Sequence, residues 1–156
     1  PMKVRKEEEN TGNLYDAPPR YYVYAGLVFT PLTLDYVKTF GRNWRNVANL
    51  EMVYELYYRK NEKPESARKE PVVLAATLAH PVNADIRLAS RAMIDNINGK
   101  RINSLEDLVD ALENNEKEQH LIKFGSGTIE SLDTKKAKQA HKDILETYSI
   151  PSDRRL

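Results

Sequence analysis

The segment from Met93 to Asn115 constrains the fold more than any other part of the sequence. Met93–Ile97 is a β-strand pattern ending in Asn98-Gly99, a dipeptide that readily adopts the positive φ angles of a type I′ turn. Ser104 with Asp107 three residues later is a helix-capping signature. The sequence therefore predicts a strand, a tight turn and a capped helix in succession, and the helix has one apolar face, formed by Leu105, Leu108, Val109 and Leu112.

An aromatic segment near the N-terminus suits β-structure. Tyr21–Tyr24 and Leu27–Phe29 are rich in aromatic and β-branched residues, and Gly26 interrupts the run. A glycine inside a strand pattern indicates a bulge or a place where another backbone comes close. Alternation along the strand should place Tyr22 on one face and its neighbours on the other. Because tyrosine is enriched at interfaces, we expect part of the cluster Tyr21, Tyr22 and Tyr24 to be available to a partner.

The remaining elements follow from apolar spacing and from breakers. Residues 1–13 are predicted to be a flexible lead-in, because a charged run there is followed by turn-forming residues. The domain is predicted to span residues 14–156, with a C-terminal helical extension over residues 134–150. Between these limits we predict a tyrosine-rich helix over 46–58, a surface loop over 61–71, strands over 72–78, 121–124 and 128–132, and a hairpin loop at 125–127.

Composition argues against several classes of function. The chain has 24 Lys and Arg against 23 Asp and Glu, which leaves a net charge of +1 and no bulk attraction for nucleic acid. It has no cysteine, so disulfides and thiolate metal sites are excluded. No apolar run approaches the roughly 18 residues of a membrane span. We therefore expect a soluble chain with no cofactor, no nucleic-acid partner and no membrane insertion.

The sequence does not contain a recognisable catalytic constellation. His80, His120 and His141 are far apart and share no metal-ligand spacing with acidic residues, so we expect them to be surface residues and expect no metal site. Ser126 lies between two glycines, but acyl transfer also needs a hydrogen-bonded base and an orienting carboxylate. We therefore assign no catalytic residue to this chain.

Several segments resemble the PDZ domains of HtrA/Deg serine proteases, also called Do-like proteases. Ile94–Leu108 is similar to the segment that leads into the helix walling the PDZ peptide groove, and Ala25–Phe29 resembles the carboxylate-binding loop. Tyr21–Thr33, together with Leu132-Asp133 and Ile144–Arg154, looks like the second, C-terminal PDZ-like domain of the Deg subgroup. This resemblance implies an α+β, PDZ-like fold, with a small, partly open, mainly antiparallel sheet or barrel flanked by helices and an extra C-terminal helix.

The resemblance also implies a peptide-binding site. A PDZ groove binds a peptide as an added strand and holds its carboxylate on backbone N–H groups. The loop residues implied here are Ala25, Gly26, Leu27, Val28 and Phe29, and the groove helix carries Leu105, Leu108, Val109 and Leu112. Three alternatives stay open: a buried strand with a helix simply packed on it, a groove filled by a segment of the same or a neighbouring protein, and a groove for free C-terminal peptides.

The function implied by the resemblance is that of a non-catalytic protein–protein interaction module in a parent serine endopeptidase. Such a module regulates oligomer assembly and substrate access. Its implied partners are the protease domain and the first PDZ domain of the parent chain, other subunits of a homo-oligomer, and peptides. The alternative is a substrate-recognition PDZ domain that binds C-terminal or β-strand peptides. The residues alone do not indicate a compartment, and the resemblance implies the bacterial cytoplasm or periplasm or a plant organelle.

Overall fold

The computed structural model describes residues 19–39, 41, 64–86 and 92–156, together with residues 52, 54, 55 and 59. The chain divides into two compact units. One includes the described residues between Leu32 and Arg68, and the other consists of Arg20–Pro31 and Lys69–Leu156. The predicted lead-in over 1–13 and most of the predicted helix over 46–58 lie outside the described residues.

The larger unit is built on an open antiparallel sheet. Eight strands of this sheet lie in the described part of the unit: β1 (Tyr21–Tyr24), β2 (Leu27–Pro31), β3 (Val72–Thr77), β4 (Ala92–Ile97), β5 (Lys100–Arg101), β6 (Gln119–Phe124), β7 (Ile129–Asp133) and β8 (Arg154–Arg155). Their spatial order is β7-β6-β4-β3-β2-β1-β8, and β5 pairs with β4 off this path. Every strand pair is antiparallel, which agrees with the predicted sheet.

Three α-helices have both of their ends described: α1 (Leu34–Lys38) in the smaller unit, and α2 (Leu105–Glu113) and α3 (Thr134–Thr147) in the larger one. Short 3-10 helices occupy Pro64–Ser66 and Pro81–Asn83. No helix in the part of the chain that the structure describes is long and apolar enough to cross a membrane. This antiparallel sheet with its helices agrees with the α+β fold class that the resemblance implies.

The local signals around α2 act as predicted. Asn98 and Gly99 adopt φ angles of 54° and 84° and form the turn between β4 and β5. The hydroxyl of Ser104 accepts a hydrogen bond from the backbone N–H of Asp107 at 3.2 Å, which satisfies one of the free donors at the helix start. At the start of α3, the carboxylate of Asp133 accepts from the N–H of Lys136 at 2.8 Å in the same way. These caps fix where the two helices begin.

The core of the larger unit lies between α2 and the sheet. It is one cluster of buried apolar side chains, which excludes water from the inner sheet face and from the apolar face of α2. All four apolar residues predicted for that face belong to it. Its members are Tyr22, Tyr24, Ala25, Leu27, Phe29, Val72, Leu74, Ile94, Ile97, Ile102, Leu105, Leu108, Val109, Leu112, Ile122, Phe124, Leu132 and Ala137.

The smaller unit has a buried ionic group of its own. Thr33 caps α1. The carboxylate of Glu55, with a side chain only 2% exposed, lies 3.3 Å from a guanidinium nitrogen of Arg68 and 2.6 Å from Nε of Arg59. The buried carboxylate is thus paired with two guanidinium groups, as a buried charge requires, and the partly exposed Arg59 leaves part of the excess positive charge to solvent.

Candidate interaction site

The edge of β1 that faces away from β2 is occupied by the C-terminal end of the chain. β8 pairs with β1 in antiparallel register, with Tyr21 opposite Arg155 and Tyr22 opposite Arg154. The N–H of Val23 extends this ladder by donating to the carbonyl of Asp153 at 2.7 Å. A two-residue strand that adds to a sheet edge has the geometry by which domains of this fold class hold an extended peptide.

Arg154 connects this added strand to α2. Its guanidinium donates two hydrogen bonds to the carboxylate of Glu113, the last residue of α2, at 2.9 and 3.0 Å. It also lies over the ring of Tyr22, 5.0 Å from the ring centroid. The guanidinium fork matches a carboxylate in this two-bond geometry, and an aromatic face attracts a cation. Hydrogen bonds to Asp153 and Glu113 raise the pKa of Arg154.

Two further contacts hold the residues that precede β8. Asp153 accepts a hydrogen bond from Nε of Arg154 at 2.9 Å, and its other oxygen lies 2.9 Å from Nε2 of His141 on α3. The bond from Arg154 is the main cause that keeps the pKa of Asp153 below its ordinary value. The hydroxyl of Tyr21 donates to the carbonyl of Ser152 at 2.7 Å. The C-terminal segment is thus held by β1, α2 and α3 together.

The helix α2 forms the other wall beside β1. It contacts β1, β2 and β4. At its start, Glu106 pairs with Arg20, which also pairs with Glu70, and the second oxygen of Glu70 accepts from the N–H of Leu105 at 3.1 Å. Ionic contacts hold α2 at its start through Arg20 and at its end through Arg154, and Lys100 of β5 pairs with Asp110 between them at 2.7 Å. Its predicted groove residues Leu105, Leu108, Val109 and Leu112 are all buried in the core.

The predicted carboxylate-binding loop forms a hairpin turn and the strand after it. Ala25 and Gly26 have φ angles of 50° and 84° and join β1 to β2. Leu27, Val28 and Phe29 belong to β2, which pairs with β1 on one side and with β3 on the other. Both edges of β2 are therefore taken by β1 and β3, the edge that β8 occupies belongs to β1, and carboxylate binding by this loop stays a prediction.

Gly26 also meets the prediction of a close backbone approach. A Cβ atom at this position would lie 2.5 Å from the carbonyl oxygen of Leu78 and 2.5 Å from Nδ2 of Asn83. The carbonyl of Gly26 accepts from the N–H of Leu78 at 2.7 Å, and the carbonyl of Ala25 accepts from Nδ2 of Asn83 at 2.9 Å. The turn is therefore pinned to the end of β3, and only a residue without a side chain fits there.

The three tyrosines of β1 have different surroundings. Tyr22 and Tyr24 are 1% and 4% exposed, and their rings lie on the same face with centroids 6.2 Å apart. Tyr21 is half-buried, and Arg155 of β8 lies 6.0 Å from its ring centroid. Tyr21 and Tyr22 thus contact the chain's own C-terminal strand. A contact of these tyrosines with another protein stays a prediction.

The expectation that all three histidines lie at the surface is wrong for His120, which is fully buried. Its Nε2 lies 2.8 Å from the hydroxyl of Tyr24, and its Nδ1 lies 3.2 and 3.1 Å from the amide nitrogens of Asn98 and Asn115. The strand β6 begins at Gln119, so alternation puts His120 on the same buried face as Ile122. A buried ring is tolerated here because polar partners surround it.

His80 and Ser126, to which the sequence assigns no catalytic or metal-binding role, make local polar contacts. His80 lies 3.2 Å from Asp143, and the hydroxyl of Ser126 donates to Oγ1 of Thr128 at 3.2 Å within the β6–β7 turn. Among the described residues, no three His, Asp or Glu side chains form a group that could hold a metal ion.

Comparison with known proteins agrees with this architecture. The family model described as PDZ domain matches residues 11–155. The chain therefore belongs to the PDZ domain family. The interaction-module class follows from that membership.

The curated relatives that the chain matches are Do-like proteases of Arabidopsis thaliana. The chain is 28% identical over 141 residues to Protease Do-like 4, mitochondrial, over 90% of this chain and 24% of the relative. It is 26% identical over 138 residues to Putative protease Do-like 3, mitochondrial, over 88% of this chain and 22% of the relative. The chain spans about a quarter of the length of the curated relatives it matches. The resemblance to a PDZ domain of a Do-like protease is thereby confirmed.

Proposed function

We propose that this chain is a non-catalytic interaction module whose binding edge is β1, and that its own C-terminal strand closes that edge until a partner displaces it. The single observation that carries the proposal is the β1–β8 pairing, with Arg154 extended to Glu113 of α2. A sheet edge beside a helix is where PDZ domains add a peptide strand. The C-terminal segment over residues 152–156, called the tail below, would then act as a tethered competitor for that edge.

We further propose that the parent chain is a serine endopeptidase of the Do-like type, in which this module is the second PDZ-like domain. The similarity to two Arabidopsis thaliana Do-like proteases, each matched over less than a quarter of its length, supports this. Opening or closing of the β1 edge would regulate oligomer assembly and the access of substrates to the protease domain. The partners would be the protease domain, the first PDZ domain and other subunits.

Capture of free peptides is a second candidate function, and the small size of β8 favours it. The tail contributes two paired strand residues, and Arg154 and Glu113 are 37% and 35% exposed at their side chains. Exposed ion pairs contribute about 0.2–1 kcal/mol, so the tail is held by few and individually weak contacts. A peptide with better complementarity would replace it and be held on the same edge.

The experiment compares the full chain with a chain ending at Pro151. No residue of the core cluster lies beyond Ala137, so removal of the tail is expected to leave the core intact. A tethered segment competes at an effective concentration of about millimolar. Fluorescently labelled C-terminal and β-strand peptides should therefore bind the shortened chain roughly tenfold or more tightly than the full chain.

Light scattering on both chains and a peptidase assay complete the test. A change in mass on removal of the tail would support a role in assembly. If neither chain binds any peptide or protein segment and neither changes its mass, the interaction role of this edge is refuted. Turnover of casein by the isolated chain would refute its non-catalytic character.

A further inference from the structure

The tail that occupies β1 presents one arginine to a specific set of groups. Arg154 faces the carboxylate of Glu113 through two hydrogen bonds and the ring of Tyr22 at 5.0 Å. The ring lies within the core and is 1% exposed, so its position is fixed by packing. A carboxylate and an aromatic face that converge on one guanidinium form a subsite for that group.

The neighbouring tail residue provides a comparison within the same strand. Arg155 is exposed, and its guanidinium lies 6.0 Å from the ring centroid of Tyr21, which is itself half-buried. The position opposite Tyr21 therefore faces a shallower surface than the position opposite Tyr22. The two successive arginines therefore lie in different environments. We expect the edge to distinguish between ligand side chains only at the position opposite Tyr22.

We propose that the β1 edge selectively binds an arginine side chain at the position opposite Tyr22, so that the partner segments it binds carry an acidic residue followed by arginine. The inference rests on the proposed function, because it names the class of ligand for that same edge. Arginine suits the subsite better than lysine, since the planar guanidinium makes two bonds to one carboxylate and stacks on a ring. The acidic residue would take the place of Asp153, 2.9 Å from His141.

The occupant is an extended protein segment, because the ladder uses backbone groups as well as side chains. The N–H of Val23 and the pairing of Tyr21 and Tyr22 bind the tail backbone in a way that any extended segment reproduces. Affinity for the edge would therefore come from the backbone, and selection among segments from the subsite formed by Glu113 and Tyr22.

The test uses the full chain with the substitution Arg154→Ala, which removes the tail's own side chain from the subsite. Labelled pentapeptides with the sequence of residues 152–156 are titrated by fluorescence anisotropy. Loss of the first arginine to alanine should weaken binding about tenfold, because a two-bond ion pair and a cation–π contact are lost together. Lysine at that position should weaken binding less than alanine does. Alanine in place of the second arginine should change the affinity less than about twofold.

A second substitution assigns the effect to the subsite. In a chain carrying Glu113→Gln as well as Arg154→Ala, the tenfold difference between the arginine and alanine peptides should shrink to about threefold or less, because the ion pair is no longer available. If Arg154→Ala does not fold by circular dichroism, the same peptides are titrated against the unaltered chain. In the unaltered chain the tail weakens the binding of every peptide by the same factor. The ratio of the affinities of the arginine and alanine peptides is therefore unchanged.

Two failures are distinguishable. If the arginine and alanine peptides bind the edge equally well, the arginine subsite is refuted while the interaction role of β1 stands. If none of the pentapeptides binds the Arg154→Ala chain, and the chain ending at Pro151 binds no peptide either, both the subsite and the proposed function fail.

Discussion

The buried His120 makes the stability of the fold depend on pH in a direction that the structure specifies. Amide nitrogens of Asn98 and Asn115 point at Nδ1. The same nitrogens donate to the carbonyls of Ala111 and Gln119, so both are donors. Nδ1 must therefore be the acceptor, and Nε2 carries the proton that is donated to Tyr24.

Protonation of Nδ1 would bring an N–H against two other donors inside the core. Burial, followed by the charge of Lys138, lowers the pKa of His120 from 6.5 to about 4. The unfolded chain therefore takes up a proton at a higher pH than the folded chain does. The stability that neutral His120 contributes is fully present above the pKa of this histidine in the unfolded chain, and it is lost as the pH falls from about 7 toward 4. Between pH 7 and pH 5 the loss due to this residue is about 2 kcal/mol.

The assay is urea unfolding at pH 7 and at pH 5 for the unaltered chain and for His120→Gln. The unaltered chain should lose about 2 kcal/mol more than the variant between the two pH values, since glutamine does not titrate. Tyr24→Phe is the matched control. It leaves Nε2–H without its partner and should cost about 1 kcal/mol at both pH values while keeping the pH dependence. Equal losses in the unaltered chain and in His120→Gln would refute the assignment.

Two further predictions concern the backbone signals. Gly26→Ala should lower the free energy of unfolding measured in urea by about 3 kcal/mol or more, because the new Cβ would clash with Leu78 and Asn83 and alanine also disfavours the positive φ. Gly99→Ala is the control, because Gly99 has the same φ of 84° but open space around it, and it should cost about 1 kcal/mol. Equal costs would contradict the close approach. Ser104→Ala should cost about 1 kcal/mol through loss of the cap, and Ser104→Asn should restore most of it; a silent Ser104→Ala would mean that the cap contributes nothing.

The elements that could be predicted from the sequence are those with strong local signals. Asn98-Gly99 tolerates positive φ at both positions, and Ser104 supplies a cap to its own neighbours within one turn. Neither signal needs information from distant parts of the chain. For this reason the β4–β5 turn and the start of α2 lie where the sequence places them.

The hairpin between β1 and β2 was less predictable. The sequence pattern of an aromatic strand interrupted by Gly26 indicated a bulge or a close approach, and the close approach exists. The turn itself also needs Ala25 at φ 50°, a conformation that alanine rarely adopts and that a local pattern does not predict. Contacts of the turn with Leu78 and Asn83 stabilise it, and those are properties of the folded chain.

The proposed binding edge of β1 depends on contacts between residues that are distant in the sequence. Glu113 and Arg154 are 41 residues apart, and two charged residues at that separation give no periodic signal. Residues 152–156 lack the apolar alternation of a strand, so only the resemblance that included Ile150–Arg154 marked them. For His120 a signal was available, because extending the predicted strand over 121–124 toward the N-terminus places the histidine on the same face as Ile122 and Phe124, and the observed strand does begin at Gln119.

Hydrogen exchange at the amide of Val23 tests the closed β1 edge most directly. In the full chain this N–H donates to the carbonyl of Asp153 at 2.7 Å and should exchange slowly. In the chain ending at Pro151 it should exchange at least tenfold faster, and a peptide with the sequence of residues 152–156 should restore the slow rate. An exchange rate that is the same in both chains, with and without the peptide, would contradict the account.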